Sequence, residues 1–384
     1  MNTEAIKSLF LKHKEAHLKH RYITNHSIEP LLKQLQNKLE VDIIGKSVLG
    51  NSIHSVKIGT GSKKILMWSQ MHGNESTTTK ALFDLLNTLL DQGSNLSYVL
   101  KACTLYVIPI LNPDGAAAYT RVNANKIDLN RDAQDLSQPE SKVLNAIFNT
   151  FKPHFCYNLH GQRTIFSAGN TNNSATVSFL APAQDIDCTI TPTRKIAMEI
   201  IGTMNAKLQK EIPNQVGVYD DAFNLNCVGD TFQSKNVPTI LFEAGHFHED
   251  YAREKTREYI YMSMLESLSY IAKNTIDGSF YDDYFDIPEN EKRFFDIIIR
   301  NADVGEGYKS KIEDIGIMFQ EKLISGKVEF IPKIEKIEKL TNFYGHKEID
   351  ANRYKVLDEF GDCIKIDSEN VFVMINNERI ILFS

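Results

Sequence analysis

Four apolar runs recur along this chain, at residues 64–68, 103–111, 154–159 and 237–242, and segments of helical period separate them. Short runs of this kind, bounded by turn residues, fit strands buried on both faces of a sheet. Their alternation with helical segments at 75–90, 138–148 and 250–273 predicts an α/β fold, a mixed twisted sheet flanked by helices. Residues 41–44 and 53–58 predict a further strand pair around Asn51. Ahead of them, residues 3–39 are rich in Leu and Lys at helical spacing. Past the turn-rich stretch 277–290 the pattern changes. Short strand-like runs at 297–299, 328–331, 363–366, 371–375 and 380–383 predict a small antiparallel β domain. The organisation expected is an N-terminal helical segment (1–40), a central α/β domain (41–285) and a small β-rich domain (293–384).

Composition narrows the classes. The 384 residues are 42% hydrophobic and 24% charged, which excludes a disordered or low-complexity chain. A net charge of -6 gives no reason to expect nucleic acid as a partner. No apolar run approaches the roughly 20 residues that span a bilayer. The first residues lack a signal-peptide pattern, so the chain, taken as the whole product, is expected in the cytoplasm. The cysteines, Cys103, Cys156, Cys188, Cys227 and Cys363, form no CxxC pair and read as buried free thiols. His13, His17 and His20 are about one helical turn apart and read as a charged outer helix face.

Chemistry gathers where predicted strands end. His72 and Glu75 lie three apart in a turn between a strand and a helix, and imidazole nitrogen and carboxylate oxygen both suit zinc. An isolated HxxE is also compatible with a helix cap followed by a first-turn acid. His160 closes an apolar strand, the place where α/β sheets carry ligands. Two histidines and one glutamate leave a coordination position open for water. Glu243 closes another buried strand, where a carboxylate is costly without a task or a partner. It could move a proton between water and a leaving amine, or belong to a buried ion pair. Asn112-Pro113-Asp114-Gly115, then Arg121, then Asp128-Leu129-Asn130-Arg131 place two arginines and several asparagines in a loop after a strand. Arginine forks match carboxylates, although a charged surface loop would carry the same residues.

In this set and order, HxxE, NPDG…R…DLNR, a strand-ending histidine and a strand-ending glutamate, the chain resembles the zinc carboxypeptidases (M14 metallopeptidases) over about residues 53–271. The resemblance implies one Zn2+ per chain on His72, Glu75 and His160. It implies Glu243 as general base and acid, and Arg121 as stabiliser of the oxyanion. Asn130 and Arg131 would hold a terminal carboxylate, Asp128 would orient His72 through its second ring nitrogen, and Tyr219 is the nearest counterpart of the family's mobile tyrosine. Pancreatic-type members carry arginine directly before the glutamate of HxxE, where this chain has Asn74, as microbial branches do. Glu75 and His160 are 85 positions apart, a shorter interval than in those digestive enzymes, so some active-site loops are missing or moved. His246 and His248 follow Glu243 closely, as rim residues or as locally bonded ones. The expected reaction is zinc-dependent cleavage of an amide or peptide bond beside a free carboxylate, with a peptide or acylated amino acid as substrate. Two alternatives stand beside it: an N-acyl amino-acid deacylase or cell-wall peptide amidase of the same superfamily, and a non-catalytic, zinc-stabilised peptide-binding module.

Overall fold

The computed structural model describes residues 1–307 and 309–383. By the contacts along the backbone, Met1–Gln162 and Ala175–Asn290 form one compact unit; Arg163–Ser174 and Glu291–Ser384 form another.

The first unit is built on an eight-stranded sheet. Its order is Glu40–Lys46, Ser52–Ile58, Cys103–Ile108, Lys63–Ser69, Phe155–Gly161, Thr239–Ala244, Val177–Leu180 and Val216–Val218. The central four strands run parallel to one another, and the Ser52–Ile58 and Val177–Leu180 strands pair antiparallel on either side of them. All four apolar runs of the sequence therefore lie in the middle of the sheet, where both faces are covered. Strand alternation divides their side chains between two cores. Ile65, Met67, Tyr157 and Leu159 enter one core, with residues of the Thr77–Leu90, Pro192–Leu208 and Glu254–Lys273 helices. Leu66, Trp68, Ile108 and Cys156 enter the other, with Leu144 and Phe148 of Pro139–Phe151 and Val228 and Phe232 of Val228–Ser234.

The N-terminal segment departs from the helical expectation. Two helices, Thr3–His13 and Asn25–Leu35, are separated by an irregular stretch. The backbone there is claimed by distant charges. Glu15 N–H donates to Asp84 Oδ1 at 2.7 Å, and Arg257 donates to Leu18 O at 2.6 Å and Glu15 O at 3.0 Å. These bonds replace those a continuous helix would make. His13, His17 and His20 consequently share no helix face: His17 bonds to Glu15 at 2.8 Å and His20 has a positive φ of 59°.

The second unit has a four-stranded sheet in the order Lys327–Glu338, Ile312–Ile324, Phe294–Asp303 and Tyr344–Asp350. It is antiparallel except for its last pair, Phe294–Asp303 with Tyr344–Asp350, which is parallel. A small three-stranded antiparallel sheet follows; its last hairpin turns at Asn376 and Asn377, both with positive φ, as a two-residue turn of the primed type requires. The run at 363–366 forms no strand, only a single bridge between Leu357 and Cys363. The cysteines are all free, but only Cys103 and Cys156 are buried; Cys188, Cys227 and Cys363 are partly exposed. No helix among the described residues is long and apolar enough to cross a membrane.

Candidate active site

Three neighbouring parallel strands end at the same edge of the sheet, and each supplies part of the site. Lys63–Ser69 leads into the turn that carries His72 and Glu75. Phe155–Gly161 carries His160 and Thr239–Ala244 carries Glu243, and register pairs these two residues directly. The helix after the HxxE turn begins at Thr77, so Glu75 lies in the turn itself, its N–H bonded to His72 O at 3.1 Å.

That turn is held from several sides. Gln70 adopts a positive φ of 44°, and its side-chain amide donates to Ile23 O at 3.1 Å and Gly73 O at 2.7 Å. A Cβ on Gly73 would lie 1.9 Å from the carbonyl carbon of Gly115, so only glycine fits where the two loops touch. Asn112 caps the Pro113–Ala118 helix through Gly115 N–H at 2.8 Å and donates to Met71 O at 3.1 Å. Asp114, also of the Asn-Pro-Asp-Gly stretch, points elsewhere: it accepts from Ser47, Leu49 and Asn51. The NPDG residues thus frame the site. Nothing in their spacing along the sequence distinguishes framing asparagines from ligand-contacting ones.

Among the described residues, His72, Glu75 and His160 form the one group of three whose ligand atoms could hold a metal, all within 4.8 Å of one another. His72 Nδ1 lies 2.9 Å from Glu75 Oε1, and His160 Nδ1 lies 3.0 Å from Glu75 Oε2 and 3.1 Å from His72 Nδ1. Gly161 N–H also donates to Glu75 Oε2 at 3.0 Å. Two imidazole nitrogens and a carboxylate facing one another are lone-pair donors that a cation satisfies together. The far nitrogen of His72 faces Asp128 Oδ1 at 3.0 Å. A proton held there leaves the Nδ1 lone pair free to coordinate. His160 has no such acceptor: its Nε2 is buried without a partner among the described residues, and the ring packs against His72 at 4.7 Å.

Charge follows the geometry. Burial pushes the Glu75 carboxyl up, but His72 and His160 outweigh it and hold it well below the carboxylate range. Burial also opposes ionisation of Asp128, and His72 and Arg121 overcome it. Glu243 goes the other way: burial, reinforced by the charge of Glu75, raises its pKa well above normal, with Arg121 and Arg253 pulling against that. Its Oε2 is sealed from solvent without a hydrogen-bond partner among the described residues. Arg253 hydrogen-bonds to the carbonyls of Gln162, Ala244 and Gly245, at the ends of the strands bearing His160 and Glu243.

Of the remaining residues singled out in the sequence, Arg121 and Asp128 contact this cluster directly and Asn130 joins it through Asp128. Arg121 spans two carboxylates, with Nε and Nη2 each 3.0 Å from Asp128 Oδ2 and Nη1 3.5 Å from Glu75 Oε1. Asp128 accepts Asn130 N–H at 2.9 Å, which fixes the turn presenting Asn130 and Arg131. Asn123 shapes the approach to that turn, its Oδ1 accepting Ile127 N–H at 3.1 Å. Tyr219 lies within the field of Glu243 and Glu75, and burial together with those charges pushes its phenol far up. His248 is exposed beside Glu249, whereas His246 is buried against Tyr251.

Comparison with known proteins agrees with this arrangement. A family model described as zinc carboxypeptidase matches residues 25–219. Carboxypeptidase 2 of Trichophyton rubrum is 30% identical over 101 residues, covering 26% of this chain and 19% of that protein. The gamma-D-glutamyl-L-diamino acid endopeptidase 1 of Lysinibacillus sphaericus is 34% identical over 95 residues, covering 22% of this chain and 24% of that protein. The matched segment spans about a fifth of the length of the fungal carboxypeptidase relatives. The carboxypeptidase A of Helicoverpa armigera superposes with a TM-score of 0.50 at 17% identity, covering 69% of this chain and 80% of that one. A metallo-carboxypeptidase from Burkholderia cenocepacia has the same TM-score at 14% identity, covering 64% of this chain and 68% of that one. The solved structures share the fold. With a family match over half its length and a clustered His-Glu-His set on adjacent strand ends, this chain belongs to the zinc carboxypeptidase family.

Proposed function

We propose that this chain is a zinc-dependent hydrolase of the metallocarboxypeptidase type, cleaving an amide bond beside a free carboxylate. The observation that carries the reading is the convergence of His72 Nδ1, His160 Nδ1 and Glu75 on one point, with Glu243 paired in register to His160. Two nitrogens and one oxygen with room for a further ligand suit zinc in a catalytic site. Bound there, zinc would polarise a substrate carbonyl and lower the pKa of a water toward about 7.

The protein's own groups supply the rest. Asp128 holds the proton on His72 Nε2 and keeps the ring aimed. Glu243, at the strand end beside His160, takes a proton from the attacking water and passes it to the departing nitrogen. Arg121, half exposed beside Glu75, can turn toward the oxygen on which negative charge develops. Asn130 and Arg131 meet the substrate's carboxylate, and Tyr219, buried within the field of Glu243 and Glu75, serves as the family's mobile tyrosine. A non-catalytic binding module would need neither Glu243 nor Arg121 beside the ligand set.

The relative from Lysinibacillus sphaericus, an endopeptidase acting at gamma-D-glutamyl-L-diamino acid bonds, favours cell-wall peptides as a second substrate class. A panel of C-terminal peptides, muropeptides and N-acyl amino acids, each as free acid and as amide, tests both. Cleavage restricted to free acids supports the carboxypeptidase reading. Equal cleavage of acid and amide forms contradicts it.

A further inference from the structure

The carboxylate-binding role proposed for Asn130 and Arg131 depends on which polar edges of their side chains remain open. Both are fixed by one short segment, Cys227 and Val228, 96 and 98 positions further along the chain. Asn130 Oδ1 accepts Val228 N–H at 3.0 Å, so its amide is oriented with Nδ2, a donor, left over. Arg131 Nη1 donates to its neighbour Asn130 O at 2.7 Å and to Cys227 Sγ at 3.1 Å. Nε and Nη2 of Arg131 have no protein partner among the described residues. A planar guanidinium held by one terminal nitrogen presents the Nε–Nη2 edge, the fork that binds a carboxylate bidentately. The Asn226–Ala133 backbone bond of 3.2 Å and the Gln134–Thr231 bond of 2.8 Å keep the two segments in step.

We infer that Cys227 is a positioning residue for carboxylate recognition: its sulfur pins Arg131 Nη1 and so turns the Nε–Nη2 edge toward the substrate. The inference rests on the proposed role of Asn130 and Arg131 and adds the residue that sets their geometry. It also accounts for a partly exposed thiol lying beside a guanidinium. Sulfur is a weak acceptor, so the contact steers the side chain more than it stabilises the fold.

The test compares the zinc-loaded enzyme with C227A, C227S and R131A on benzoylglycyl dipeptide-type substrates ending in Phe, Lys or Glu, each as free acid and as amide. C227A is expected to raise KM for the acids about 3- to 10-fold with kcat nearly unchanged and the amides unaffected, the scale of one ordinary hydrogen bond. C227S, which keeps an acceptor, is expected to recover most of that loss. An equal effect of C227A on acids and amides, or none on either, overturns the inference. R131A separates the two layers. If it abolishes the acid preference and C227A leaves that preference at its wild-type value, Cys227 has no positioning role; if R131A leaves the preference intact, the reading of Asn130 and Arg131 fails with it. A second readout needs no turnover: the pH profile of iodoacetamide labelling at Cys227. Burial raises this thiol to about 11 while Arg131 pulls it down, so R131A should move the profile to higher pH. An unmoved profile means the two groups do not meet in solution, and overturns the inference.

Discussion

Glu243 and His160 face each other across one pair of parallel strands, so a change at either is felt at a single point in space. Changing Glu243 to Gln keeps the shape and removes the proton acceptor. The variant should retain zinc at the wild-type ratio while kcat falls about 10²- to 10⁴-fold. A fully metallated E243Q with wild-type turnover would sink the assignment. Asp128→Ala removes the acceptor that fixes the His72 ring, and zinc affinity should drop about 10- to 100-fold by competition with a chelating dye. These residues were legible in the sequence because the chemistry of each strand end is local: HxxE within one turn, a histidine or glutamate closing an apolar run. The parts played by Asn112, Gly73 and Cys227 were not, because each acts on a partner far along the chain. Gly73 touches Gly115, Asn112 bonds to Met71 and Cys227 holds Arg131, and no local period or spacing encodes such pairs.

Between elements, the most consequential charge pair joins two long helices. Asp84 of Thr77–Leu90 and Arg257 of Glu254–Lys273 are both fully buried and make two bonds of 2.6 Å. Arg257→Met leaves a buried carboxylate unpaired and should cost about 3–5 kcal/mol in denaturant unfolding. The double variant Asp84→Leu with Arg257→Met should cost clearly less than the sum of the single changes. Additivity would show that the pair does not act as a unit. The same ties explain the broken N-terminal helix: helical spacing was present at 14–24, but bonds from Asp84 and Arg257 won the backbone. The short Val228–Ser234 helix carries a pH-sensitive group. Burial pushes Asp230 up to about 7, against roughly 3.9 for an unfolded chain. Between about pH 4 and 7 the folded chain therefore binds the extra proton, and its stability falls as pH rises through that window. Asp230→Asn should flatten this slope. A stability–pH curve unchanged by the substitution would contradict it.

At the scale of the molecule, alternation and strand-end chemistry together made the catalytic sheet readable, while the grouping of Arg163–Ser174 with the C-terminal residues was not. That segment begins three residues after His160, and its sequence has no strand pattern to separate it from its surroundings. The parallel pairing of Phe294–Asp303 with Tyr344–Asp350 was likewise invisible, since strand direction is set by the path of the connection and not by residue alternation. A ligand held only by the folded chain also stabilises it. Free zinc at about 100 times its dissociation constant should add about 2.7 kcal/mol to unfolding, and chelation should remove it. The central claim is that His72, Glu75 and His160 hold one zinc on which hydrolysis depends. Its most direct test is a titration of zinc into chelator-stripped protein, following release of a terminal amino acid from free-acid substrates. Activity should rise in proportion to added metal and level off at about one zinc per chain. Turnover that is already complete before zinc is added, or that bears no relation to the ratio of metal to chain, would contradict the account.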